Sequence, residues 1–217
     1  MEPDSVAQRV GDYPRRRRNE PSIGSINQNE GWWLAKQPVL SSAHEYPYGL
    51  IDIRALNGYS SRVRRKFLTK ISSLGWEEAV RNREASHYSL VGIMLHMIGN
   101  EEWILNFVIP GRPSTERKKH LPEEFAGFDG VEALLAEVEA KTELYLGSVD
   151  ARELARSVKF TLSSGTVFDM TVEECLFQTF TEQLYHMGEM IALFWQDDVE
   201  PPRMQWFYNR ESLSLSV

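Results

Sequence analysis

The chain has one cysteine in 217 residues, Cys175. A single thiol excludes an internal disulfide and any zinc site built from cysteines. Placed beside Leu176 in an apolar helical pattern, Cys175 reads as a small core residue rather than a nucleophile. The chain also lacks a basic surplus: its formal net charge is −7 and its pI is near 5.3. General binding to nucleic acid or to an anionic membrane needs a basic face, so neither is expected. No secretory hydrophobic segment follows Met1, and the longest apolar run, 90–99, is interrupted by His96. No membrane span is expected, and the expected compartment is the cytoplasm. What is present is enough for a full core, with 42% hydrophobic residues in a length that suits one domain with tails.

The clearest pattern is the stretch 171–196. Thr171 followed by Glu174 has the spacing of a capping box, in which each side chain satisfies an orphan donor of the first helical turn. Phe177, Phe180, Leu184, Ile191 and Phe194 then recur at helical spacing and predict the apolar stripe of one long helix. Into it the sequence places Glu182, His186 and Glu189, whose i, i+4, i+7 spacing stacks them on a single face. A carboxylate and an imidazole one turn apart can share a metal ion. A charged, solvated stripe would produce the same spacing.

Residues 1–45 form a polar extension, partly disordered or packed on the domain, with four consecutive arginines from Arg15 to Arg18 and adjacent indoles at Trp32 and Trp33. The arginine run reads as a solvated tail, and contact with a phosphate or an acidic partner is the alternative. Paired indoles are costly to leave in water, so this part is expected to pack on the domain or on a second subunit. The ordered domain is expected over 46–208 and a C-terminal tail over 209–217.

Within 46–208 the first helical pattern carries Leu56, Tyr59, Val63, Phe67 and Ile71 on one face and Arg62, Arg64, Arg65 and Lys66 mostly on a solvent face, with Gly75 as its stop. The second begins at the N-cap Ser89 and runs to Pro110. It holds His96 among apolar residues, with Gly92 and Gly99 on the same face. Each glycine costs about 1 kcal/mol against alanine inside a helix. The pair therefore implies that space is needed there, for close helix approach or for a ligand before the imidazole. Glu102 is a candidate partner of the same face. Residues 111–128 read as a long polar loop in which Lys118, Lys119 and His120 are solvated. A third helix follows from a capping-box-like start at Asp129 and Glu132, with Val131, Leu134, Leu135, Val138, Thr142 and Tyr145 inward. A short helical turn then leads to a hairpin, where Val158, Phe160 and Leu162 alternate before a turn at Ser163-Ser164-Gly165. Four long helical patterns predict an all-α four-helix bundle with a small β-hairpin before the last long helix. In such a bundle His96 can meet Glu182 and His186 in the interior, as a metal site or as a buried polar network.

The segments SLVGIMLHMIGNEEWIL and EQLYHMGEMIALFWQ, the second followed by Pro201-Pro202, resemble the DinB-like (DinB/YfiT) four-helix bundle family over about residues 48–208. The resemblance implies a divalent metal, commonly zinc, nickel or iron, bound by three residues on the second and fourth helices. Carried onto this chain these are His96, Glu182 and His186, with Glu182 standing where many members have histidine. Met187 replaces the arginine that often follows the last histidine, so a role tied to that arginine does not carry over. Glu189 and Glu102 are then expected to support the ligands from behind. The resemblance further implies a metal-dependent enzyme acting on a small molecule, with a low-molecular-weight thiol as co-substrate and the metal activating a thiolate or water. A non-catalytic metal-binding stress-response protein is the alternative, and a nucleic-acid partner acting through the arginine tail is a third. The aromatic residues outside the four helical stripes, Trp32, Trp33, Trp206, Phe207 and Tyr208, add the expectation of a homodimer.

Overall fold

The structure is a computed structural model and describes residues 51–113, 117–162 and 164–209. Arg15 to Arg18, Trp32 and Trp33 lie outside the described residues. The chain is mostly helical. Helix α1 spans Ile53–Ser72, α2 Trp76–Val80, α3 Leu90–Trp103, α4 Phe128–Ser148 and α5 Ala151–Leu154. Strands β1 (Ser157–Thr161) and β2 (Val167–Thr171) follow, then α6 (Val172–Gln196) and α7 (Trp206–Asn209).

The start of α6 has the full capping box: the Thr171 hydroxyl accepts from Glu174 N–H and the Glu174 carboxylate accepts from Thr171 N–H at 2.7 Å. Helix α3 is capped as expected by Ser89, whose hydroxyl accepts from Gly92 N–H at 3.0 Å. It does not continue evenly to Pro110. After Trp103 the backbone widens into a π-helical turn over Ile104–Val108, with Ile109 N–H donating to Ile104 C=O at 2.9 Å. Gly127, not Asp129, is the N-cap of α4, and no side chain caps that end. The hairpin is antiparallel, with Val158 opposite Met170 and Phe160 opposite Phe168. Gly75 adopts φ +84° between α1 and α2, a left-handed conformation that glycine takes without strain.

The four long helices pack around a shared core, α1 against α4 and α6, and α3 against the same two. Its larger apolar layer is built from residues such as Val63, Phe67, Ile93, Met94, Leu135, Met187 and Phe194. A second layer at the hairpin end contains Ile53, Ile104, Leu146, Val158, Val172 and Cys175. Cys175 is fully buried, and desolvation pushes its thiol up to about 11, so it is a core residue without nucleophilic character at neutral pH.

Between the two apolar layers lies a polar one, and it corrects the reading of α1. Arg64 is not on a solvent face but 1% exposed, donating to Glu101 on α3 and, at 3.1 Å, to Glu139 on α4. Thr142 also donates to Glu101, as does the Gln183 amide at 2.8 Å, and the Gln183 carbonyl in turn accepts from Ser60. Every long helix therefore contributes to one buried network, in which Arg64, with Arg65 reaching Glu139 from the surface, balances the two carboxylates. Helix α6 also turns a slightly different face inward than the aromatic pattern predicts. Its buried line runs through Leu176, Thr179, Gln183, His186, Met187 and Met190, whereas Phe177 is exposed and Phe180, Leu184 and Ile191 are half-buried. Polar residues occupy inward positions here because the network and the histidine cluster satisfy them.

None of the helices among the described residues is long and apolar enough to cross a membrane.

Candidate metal centre

Three histidines converge beside the first half of α3. His96 projects from α3, His186 from α6, and His87 from the loop between α2 and α3. Their candidate ligand atoms all lie within 4.8 Å of one another. The rings of His87 and His96 stack, with centroids 3.8 Å apart and an interplanar angle of 15°. His186 stands edge-on to both, at 4.7 Å from His96 and 5.3 Å from His87.

Glu182, one turn before His186, places Oε1 between two of the imidazoles, 3.4 Å from His96 Nε2 and 3.2 Å from His186 Nε2. Glu189, one turn after it, lies behind the ring: Oε2 is 3.0 Å from His186 Nδ1. The same carboxylate accepts from Ser86 N–H at 2.9 Å and from the Ser86 hydroxyl at 2.7 Å. Burial raises the Glu189 pKa, but these Ser86 bonds and His186 outweigh it and hold the group below the usual carboxylate range. An ionised carboxylate only accepts, so His186 Nδ1 carries a proton toward Glu189 and Nε2 is the ring nitrogen turned to Glu182. A ring nitrogen and a carboxylate oxygen at 3.2 Å require a proton or a cation between them.

The separations suit a cation. Donor atoms about 2.0–2.2 Å from one tetrahedral ion are roughly 3.3 Å apart, which is the spacing of Glu182 Oε1 from both Nε2 atoms. The donor atoms of the histidine triad lie within 4.8 Å of one another. Burial, with His87 beside it, pulls His96 down to about 4 despite the opposing pull of Glu182. His87 is lowered too, by desolvation first and by His186 next. Both are therefore neutral at pH 7 and have lone pairs to offer. The donor set fits a divalent transition ion.

His87 has no counterpart in the sequence reading. It lies in a short loop without periodicity, two residues before the Ser89 cap. The loop is anchored by Arg83, which donates to Glu78 C=O at 2.8 Å and to Asp197 Oδ2 at 2.9 Å, tying it to the end of α6. The signal for His87 was Gly92. A β-carbon there would collide with the His87 carbonyl, so the glycine admits the loop to the face of α3. Gly99 has a similar neighbour in His120, although a β-carbon there would only touch the ring, at 3.5 Å.

Glu102 does not reach the cluster. It pairs with His120 Nε2 at 2.8 Å, and His120 is largely buried by that contact rather than solvated in the loop. Lys118 is exposed, as expected, and pairs with Glu124 at 3.0 Å.

Comparison with known protein families returned no matching family model, and no curated protein matches the chain.

Proposed function

We propose that this chain is a DinB-like four-helix bundle protein that binds a divalent metal ion and uses it in an enzymatic reaction on a small molecule. The observation that carries the reading is the convergence of His87, His96 and His186, with Glu182 in contact with the last two. The resemblance of the α3 and α6 segments to the DinB-like family supports it.

In this reading His96, Glu182 and His186 hold the ion, as the resemblance implies, and His87 adds a third imidazole. Glu189, locked by Ser86, keeps His186 in the tautomer that presents Nε2. The bound ion would lower the pKa of a thiol or water and orient it toward an electrophile, the chemistry of thiol-dependent S-transfer. Glu182 is 30% exposed at its side chain and forms the open edge through which a small molecule reaches the site. Neutral His96 and His87 leave the carboxylates of Glu182 and Glu189 to balance the charge of the ion.

A second reading follows from the donor count. Three imidazoles and one carboxylate fill a tetrahedral zinc site and leave no position for substrate, which is the pattern of a structural ion. It corresponds to a non-catalytic metal-binding stress-response protein. Nickel or iron, with more coordination positions, leaves room for the thiol. Turnover of an electrophile that requires both added metal and a low-molecular-weight thiol supports the enzyme. Metal that raises the melting temperature without turnover supports the structural role.

The protein is further proposed to form a homodimer. Trp206 is occupied within the chain, its ring 5.0 Å from that of Tyr59, but Phe207 and Tyr208 are 66% and 53% exposed. Analytical ultracentrifugation at micromolar concentration tests this, a monomer being the contrary result.

A further inference from the structure

A second cleft opens at the other end of α3. His96 and Trp103 are seven residues apart, so this region begins about 10 Å along the helix axis from the histidine cluster. The cleft has a volume of about 340 Å³ and lies between the π-helical turn and strand β1 of the hairpin. Trp103, Phe107 and Phe160 give it aromatic walls, and Arg112 and Lys159 line it as well.

Four features mark it as more than a surface groove. The π-turn that forms one side is an irregularity in a helix that is regular before it, and such turns are frequent at binding sites. Arg112 N–H closes a second wide turn onto Phe107 C=O at 2.8 Å, fixing the backbone of the wall. Phe160 is held by stacking on Phe168, at 5.3 Å and 15°, and presents its face or edge to Trp103 at 84°. Trp103 is 9% exposed, and its buried indole N–H has no acceptor among the described residues. A buried donor without an acceptor is costly and uncommon in folded proteins, so it calls for a reason beyond packing.

The charge around the cleft has one dominant sign. Among the described residues Arg112 makes no side-chain ion pair and no carboxylate lines the cleft. Arg117 lies outside the lining, its guanidinium 5.0 Å from the Trp103 ring centroid and within the field of Glu102. Lys159 is partly balanced by Asp169, at 3.3 Å on the exposed side of the hairpin. The volume falls in the range that small-molecule sites occupy, and such sites join apolar walls to a few placed polar groups.

We propose that this cleft binds an aromatic carboxylate: a flat ring laid against the wall formed by Trp103, Phe107 and Phe160, with its carboxylate at Arg112 and Lys159. Binding here uses none of the histidines and does not depend on the metal reading.

Isothermal titration of the full chain with 1-naphthoate tests it. The expected result is a one-to-one complex with micromolar to submillimolar affinity, unchanged by prior treatment with EDTA. The neutral analogue 1-naphthalenemethanol is expected to bind at least tenfold more weakly. The double variant Arg112→Gln/Lys159→Gln, two exposed positions whose change leaves the core intact, is expected to lose about tenfold for naphthoate and little for the neutral analogue. Absence of binding to the wild-type chain at millimolar naphthoate overturns the proposal. Equal affinity in the double variant overturns it as well, and loss of binding after EDTA places the carboxylate at the histidine cluster instead.

Discussion

The backbone carbonyl of His87 occupies the space that a side chain on Gly92 would need. The relationship links a loop residue to a helix residue that sequence alone connects only through cost. Alanine at position 92 is favoured by about 1 kcal/mol as a helix former. It would nevertheless push the loop outward and carry the His87 imidazole away from His96. Gly92→Ala is therefore expected to leave the helical circular dichroism unchanged and to weaken metal binding by at least tenfold in a competition titration. Unchanged affinity would show that His87 is not needed.

Glu189 supports His186 from the side opposite to Glu182. Replacement by alanine removes the acceptor for His186 Nδ1 and for both Ser86 donors. Loss of such a supporting carboxylate costs about 10–100-fold in metal affinity. The same titration on Glu189→Ala measures it, and an effect below about threefold would remove Glu189 from the site.

Glu182 separates the metal reading from a mere polar cluster. Glu182→Gln is expected to lower metal affinity while leaving thermal stability of the metal-free chain nearly unchanged, since the side chain is partly exposed. Glu182→His is expected to retain binding. If neither variant differs from wild type in metal content, Glu182 is not a ligand.

The metal-free protein should lose stability in acid. His96 titrates near 4 when folded, below the ordinary histidine value of about 6.5. The unfolded chain then binds the proton more readily, so stability rises with pH through this window and is lost as pH falls from about 6.5 toward 4. His87 shifts in the same direction. The His96 contribution is at most on the order of 3 kcal/mol. Urea denaturation of the chelator-treated chain between pH 4 and 7 checks the sign. The dependence should flatten in His96→Asn.

Arg64 is the strongest candidate for a destabilising single substitution. Arg64→Ala removes the buried counter-charge of Glu101 and leaves Glu139 with Arg65 alone, and breaking a buried pair this way costs about 3–5 kcal/mol. Chemical denaturation is the readout. A loss below about 1 kcal/mol would show that water reaches the polar layer.

These cases mark what the sequence allows. The capping box of α6, the cap of α3 and the presence of the hairpin were legible because each depends on neighbours within a few residues. The stacking of Glu182, His186 and Glu189 on one face follows from helical spacing alone, and their meeting with His96 follows once four helical patterns are read as a bundle; the family resemblance added only the assignment of ligands. Arg64 was hidden by Arg62, Arg65 and Lys66, which make a run that looks solvated. Its buried partners are 37 and 75 residues away, beyond any local pattern. The same network allows Gln183 to point inward, which shifts the buried line of α6 away from its aromatic stripe. His87 lacked any periodic context, and only the cost of Gly92 pointed to what packs there.

The central claim is a metal held by the histidine cluster, and metal stoichiometry tests it most directly. The full-length chain is loaded with nickel or zinc, desalted, and analysed by inductively coupled plasma mass spectrometry beside His96→Ala and His186→Ala. The account predicts close to one ion per wild-type chain and a large loss in each variant, with the helical circular dichroism of all three alike. Wild-type protein without metal above background, or variants that keep the wild-type amount, would contradict it.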